Sequence, residues 1–207
     1  MTKHFYAFGS ICRGEVDRSS DIDLLACVSS SSDSIDPEKF SIYSYDRLRQ
    51  LWQQGNPFAW HLHLESKLIY SSDGDDFIAL LGAPSPYTKG AADCAQFSRL
   101  FAESLDQLSD SMNSATFLAS CMFLATRNFA TCYSLHSGKP IFSRNSPLLI
   151  ARPLCIEKSI FDVLSRARVL STRGFGDTLD IADIMSVLNA APAISEWMSI
   201  LLSEVQS

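Results

Sequence analysis

Residues 4–28, HFYAFGSICRGEVDRSSDIDLLACV, decide how the rest of the chain is read. His4–Phe8 is a short apolar run closed by Gly9-Ser10, the pattern of a buried strand ended by a turn. Ile11–Arg13 predicts a helical turn with Ser10 as its N-cap. Residues 14–20 read as a polar connection, and Asp21–Val28 as a second strand. Side chains alternate across a strand, so Asp21 and Asp23 share one face while Ile22 and Leu24 point to the other. Two ionised carboxylates so placed repel each other. A hard divalent cation relieves that repulsion and prefers oxygen ligands. The Gly-Ser turn supplies the complement. Gly9 admits close backbone approach, and the Ser10 hydroxyl with nearby backbone N–H groups suits phosphate. Together the two halves make a clamp for a metal-bound triphosphate. In-line attack at the α-phosphorus, with pyrophosphate leaving, follows from that geometry. Either half alone is commonplace, and the specificity lies in their combination and order.

Working outward, residues 29–36 (SSSSDSID) are a loop by composition. Lys39–Tyr45 predicts a third strand. Asp46–Gln54 predicts a helix, with Leu48, Leu51 and Trp52 at i, i+3 and i+4 and Gly55 past its end. Phe58–Glu65 fits either a strand or a helix, and Pro57 at its start favours helix. Lys67–Tyr70 predicts a last short strand. Phe77–Leu81 is a short apolar piece before a stretch rich in Pro, Gly and Ser. The domain boundary is placed there, giving residues 1–84 and 85–207. Beyond it the spacing becomes helical: Phe97, Leu100, Phe101, Leu105, Leu108 and Met112 first, then Ala115–Leu135. Ile156–Leu170 and Leu179–Leu188 follow, with a break at Pro192 before Ile194–Val205. The expected fold class is therefore α+β, a small mixed-sheet domain followed by an all-α up-down helical bundle.

Across 207 residues, 46% are hydrophobic and 19% charged, the balance of a globular protein. The net charge of −6 argues against duplex DNA as a partner. The acidity is uneven: residues 1–84 carry 7 Lys and Arg against 12 Asp and Glu. The six cysteines are scattered without C-x-x-C spacing, which points to free thiols in a reduced, cytoplasmic setting. No signal-peptide pattern and no run of about 18 apolar residues are found, so no membrane is expected as partner.

At Phe8-Gly9-Ser10, Arg13-Gly14 and Ser20-Asp21-Ile22-Asp23-Leu24 the chain resembles the DNA polymerase beta-type nucleotidyltransferases. It is most similar to the minimal and kanamycin-nucleotidyltransferase-like members, in which a small α/β domain precedes a helical bundle. The likeness covers residues 4–70 in order. It implies Mg²⁺ held by Asp21 and Asp23 as the catalytic pair, with room for a two-metal site. It also implies ATP or another nucleoside triphosphate bound through Gly9, Ser10, Arg13 and Ser20. The product would be a nucleoside monophosphate, AMP in the first instance, joined to a hydroxyl of a small-molecule or macromolecular acceptor. Such proteins usually carry a third carboxylate on the next central strand, and here Ser41 and Tyr43 stand in its place. Two readings stay open. Glu65 replaces it as base with His61 nearby, or the domain binds nucleotide without efficient turnover, as a regulatory or antitoxin-like protein.

The helical half resembles HEPN-type bundles, some of which cleave RNA through an Arg-x(4–6)-His motif. Arg127 matches its start, but Cys132, Tyr133 and Ser134 occupy the histidine positions, so no ribonuclease is expected. The bundle is read instead as shaping the acceptor pocket or a homodimer surface. Arg144, Arg166, Arg168 and Arg173 are candidates for an acidic acceptor, and a solvated helix face explains them equally well.

Overall fold

The computed structural model describes residues 2–15, 22–29 and 35–206. Two compact units divide at Thr88/Lys89, against the 84/85 boundary placed by composition. The first unit is built on a mixed sheet of four strands in the order β3-β2-β1-β4. β1 (Lys3–Phe8) pairs antiparallel with β2 (Asp23–Val28) and with β4 (Ser66–Ser71), while β3 (Ser41–Ser44) lies parallel to β2. The register sets Tyr6 opposite Leu25 and Phe8 opposite Asp23. Paired residues share a face, so His4, Tyr6, Phe8, Asp23, Leu25 and Cys27 all point the same way. Leu25 pairs with Ser41 and Cys27 with Tyr43, which puts those two on that face as well.

Three helices cover this face. α2 (Tyr45–Gln53) contributes Leu48, Leu51 and Trp52, and α3 (Pro57–Glu65) contributes Ala59 and Leu62. α4 (Phe77–Leu81) adds Phe77 and Ile78. Each fully buried large side chain here is worth about 1.5–3 kcal/mol of transfer free energy. Local chemistry fixes the helix starts. The Ser44 side chain accepts from the Arg47 N–H at 3.1 Å, and that of Asn56 from the Phe58 N–H at 2.8 Å, with Pro57 inside the first turn. α4 is tied to the sheet through Tyr6. Its hydroxyl donates to Asp76 Oδ1 at 2.9 Å and accepts from the Ile78 N–H at 3.0 Å.

The expectation that Ser10 caps the first helical turn is corrected. The short helix α1 (Ser10–Arg13) begins at Ser10 itself, and Gly9 is the cap, at φ 75° and ψ −141°. That positive φ strains any residue with a Cβ.

The second unit is helical: α5 (Gly90–Asp110), α6 (Ala115–His136), α7 (Ser146–Leu149), α8 (Lys158–Arg173) and α9 (Ile181–Gln206). α6 packs against each of the others and buries most of its circumference, the pattern of a central helix. The expected break at Pro192 is also corrected, because α9 runs unbroken through it. Ile184, Val187 and Ala191 before the proline, and Ile194, Trp197, Met198 and Leu201 after it, bury one continuous stripe. Burial of that stripe outweighs the missing Pro192 N–H. By length and composition α9 is apolar enough to cross a membrane, and 39% of its most apolar window is buried within the fold. All six cysteines are free thiols. Burial pushes the thiols of Cys27 and Cys94 up to about 12, so both stay protonated and inert as nucleophiles.

Candidate functional site

Gly9, Asp23 and Glu65 gather at one end of the sheet, where β1 ends and β2 and β4 begin. Phe8 faces Asp23 on one side and Ser66 on the other. Gly9 therefore lies between the second carboxylate of Asp-x-Asp and the residue before β4, which is Glu65. A Cβ built on Gly9 would stand 2.7 Å from Asp23 Oδ2. Gly9 is thus required twice, by its backbone angle and by the carboxylate packed against it. Ser10 is half-buried at the start of α1, and Asp23 is exposed at the start of β2. Asp21 and Ser20 lie outside the described residues.

Glu65 is brought to the turn by the helix-to-strand switch from α3 into β4. Its backbone carbonyl accepts the Gly9 N–H at 3.2 Å. Its carboxylate accepts from Arg13 Nη1 and lies 3.0 Å from His61 Nε2, one helical turn earlier. Glu65 and Arg13 side chains are both largely buried, at 15% and 18% exposure. Burial would raise the Glu65 carboxyl, but the His61 hydrogen bond and the Arg13 guanidinium together outweigh it and hold it below the usual range. Glu65 is ionised at neutral pH and braces the Gly-Ser turn at two points, main chain and side chain.

The outer edge of Arg13 is also engaged. Its Nε and Nη2 both donate to Glu15 Oε2, at 3.0 and 2.9 Å. Gly14, at φ 74° and ψ 14°, ends α1 in the left-handed turn that carries Glu15 back over Arg13. Sequence reasoning did not single out Glu15. The signal was there, a carboxylate two residues from Arg13 across a helix-ending glycine.

Neither a family model nor a curated protein sequence matches the chain. The site must therefore be judged on its own donors. An exposed carboxylate, a neighbouring hydroxyl and a turn with no Cβ to fill it suit an oxygen-liganded cation and a phosphate. Among the described residues, no three or more His, Cys, Asp or Glu side chains stand close enough to hold a metal. On β3, Ser41 and Tyr43 share the Asp23 face, and Tyr43 packs on Phe58 with ring centroids 5.4 Å apart. A cleft of about 470 Å³ opens beside Asp23, lined by Ile22, Leu24, Glu38, Lys39, Phe40 and Ser41. Lys39 is a cation at this cleft that sequence reasoning overlooked, and it pairs with Asp36 at 3.4 Å.

Two arginines of the helical unit, Arg127 and Arg166, make contacts within it. Arg127 donates to the Phe142 carbonyl at 2.9 Å and so holds the loop after α6. Of the positions where an RNA-cleaving histidine would stand, Cys132 and Ser134 are buried, and the Tyr133 hydroxyl donates to Glu204 at 2.7 Å. Arg166 is paired with Asp183.

Proposed function

We propose that this protein is a nucleotidyltransferase of the DNA polymerase beta type, which binds a Mg²⁺-bound nucleoside triphosphate, ATP first, and moves its nucleoside monophosphate to a hydroxyl acceptor. The observation that carries the reading is the packing of Gly9 against the Asp23 carboxylate. It joins the two halves of the sequence pattern, Gly-Ser and Asp-x-Asp, across adjacent antiparallel strands. When bound, Mg²⁺ would neutralise triphosphate oxygens and favour attack at the α-phosphorus. The chain's own part is to orient. Gly9 lets the phosphates approach, Ser10 and Arg13 donate to them, and Asp21 and Asp23 supply the oxygen ligands. The cleft lined by Lys39 and Phe40 has room for a further part of the nucleotide or the acceptor.

A second reading, a nucleotide-binding regulatory protein with weak turnover, is favoured by two observations. Tyr43 fills the β3 position where a third carboxylate is expected. Glu65 is committed to Arg13 and His61, so its carboxylate is a poor proton acceptor while those contacts hold. Pyrophosphate release from Mg-ATP with mixed hydroxyl acceptors separates the readings. Release by the wild type, lost in the Asp21→Asn/Asp23→Asn double variant, supports the transferase. Equal release from both rules this site out as its source.

A further inference from the structure

Arg13 meets two carboxylates in different ways. Glu65 takes one terminal nitrogen, Nη1, from a nearly buried position. Glu15 takes the other edge, Nε together with Nη2, from a side chain 43% exposed. That Nε/Nη2 edge is the planar fork with which arginine grips carboxylate or phosphate oxygens. Glu65 also fixes the Gly9 N–H through its backbone carbonyl, so the inner carboxylate and the phosphate turn form one braced unit. Glu15 follows the left-handed glycine that ends a four-residue helix, and its backbone N–H donates to the Ser10 carbonyl at 3.0 Å.

Resting on the nucleotidyltransferase reading, we propose that Glu15 is a built-in stand-in for phosphate: its carboxylate occupies the Arg13 fork until a terminal phosphate of the triphosphate displaces it. Glu65 stays in place throughout and keeps the guanidinium aimed. The two carboxylates on one arginine thus have opposite effects on ligand affinity. The inner one positions Arg13, and the outer one competes with the ligand. An exposed ion pair is weak enough to exchange, whereas one held between half-buried partners is not. The exchange moves no proton and breaks no covalent bond. Its net result is one carboxylate released to water for one phosphate oxygen pair bound.

Calorimetric titration of the full chain with Mg-ATP and with inorganic tripolyphosphate, at physiological salt, tests this. Glu15→Gln is expected to bind both about two- to fivefold more tightly, the range of an exposed ion pair. Glu65→Gln is expected to bind both roughly tenfold more weakly, as loss of a charged hydrogen-bonded partner implies. In the Arg13→Gln background, Glu15→Gln should give no gain. A gain that persists without Arg13 is a long-range charge effect and overturns the proposal. So does unchanged or weakened binding in Glu15→Gln while the wild type binds Mg-ATP, and in that case the transferase reading stands. If neither wild type nor Glu15→Gln binds either ligand, the nucleotide reading itself fails and takes the proposal with it.

Discussion

Gly9 and Glu65 carry the constraints that hold the candidate site together. Gly9→Ala must accommodate a positive φ and a Cβ 2.7 Å from Asp23 Oδ2. A destabilisation of about 1–3 kcal/mol in urea unfolding is expected, and any phosphate binding should fall with it. Glu65 predicts a pH dependence whose sign follows from its environment. Its carboxyl is held below the ordinary value of 4.5 in the folded chain. The stabilisation is therefore complete above 4.5 and is lost as pH falls through the lower folded value. Melting temperatures between pH 3 and 7 should drop more steeply below 4.5 in the wild type than in Glu65→Gln, and parallel curves would refute the assignment. At this scale the sequence was legible where partners are close along the chain. Gly9, Ser10 and Asp23 could be read because a strand, a turn and a strand of known pitch bring them together. The Arg13–Glu65 pair spans 52 positions, and no local spacing encodes which carboxylate an arginine will find. The sequence offers Glu65 as a candidate base without showing that its carboxylate meets Arg13 and His61 and its carbonyl the Gly9 N–H.

At the scale of elements, the strands β1, β2 and β4 and the helices α2 and α3 follow from periodicity, capping residues and Pro57. The helix α4 was seen only as an apolar piece, because a five-residue helix has too few turns to show a period. It exists by virtue of Tyr6, which is 1% exposed and holds both Asp76 and the Ile78 N–H. Tyr6→Phe should cost about 1–3 kcal/mol by leaving that end of α4 unpaired, measurable by chemical denaturation. Pro192 misled in the other direction. A proline is a strong local stop signal, yet a stripe buried on both sides of it carries α9 through. Pro192 is exposed, so Pro192→Ala should restore the donor to the Leu188 carbonyl and raise stability by about 1–3 kcal/mol in thermal or urea melts. No gain would mean that the surrounding packing is built around the proline.

For the whole molecule, composition distinguished a mixed α/β half from a helical half, since turn residues and short apolar runs give way to long amphipathic segments. No ligand of the helical unit is legible in the sequence, because pockets are assembled from side chains far apart along the chain. The functional claim therefore rests on the first unit, where an acidic surface is reconciled with an anionic ligand only if a cation accompanies the phosphates. Isothermal titration of the full chain with Mg-ATP, wild type against Asp23→Ala, tests that claim most directly. The expected result is saturable one-to-one binding by the wild type, weakened at least roughly tenfold, or 1.4 kcal/mol, in a variant with unchanged circular dichroism. Absence of saturable binding at millimolar Mg-ATP, or equal affinity in the two proteins, would contradict it.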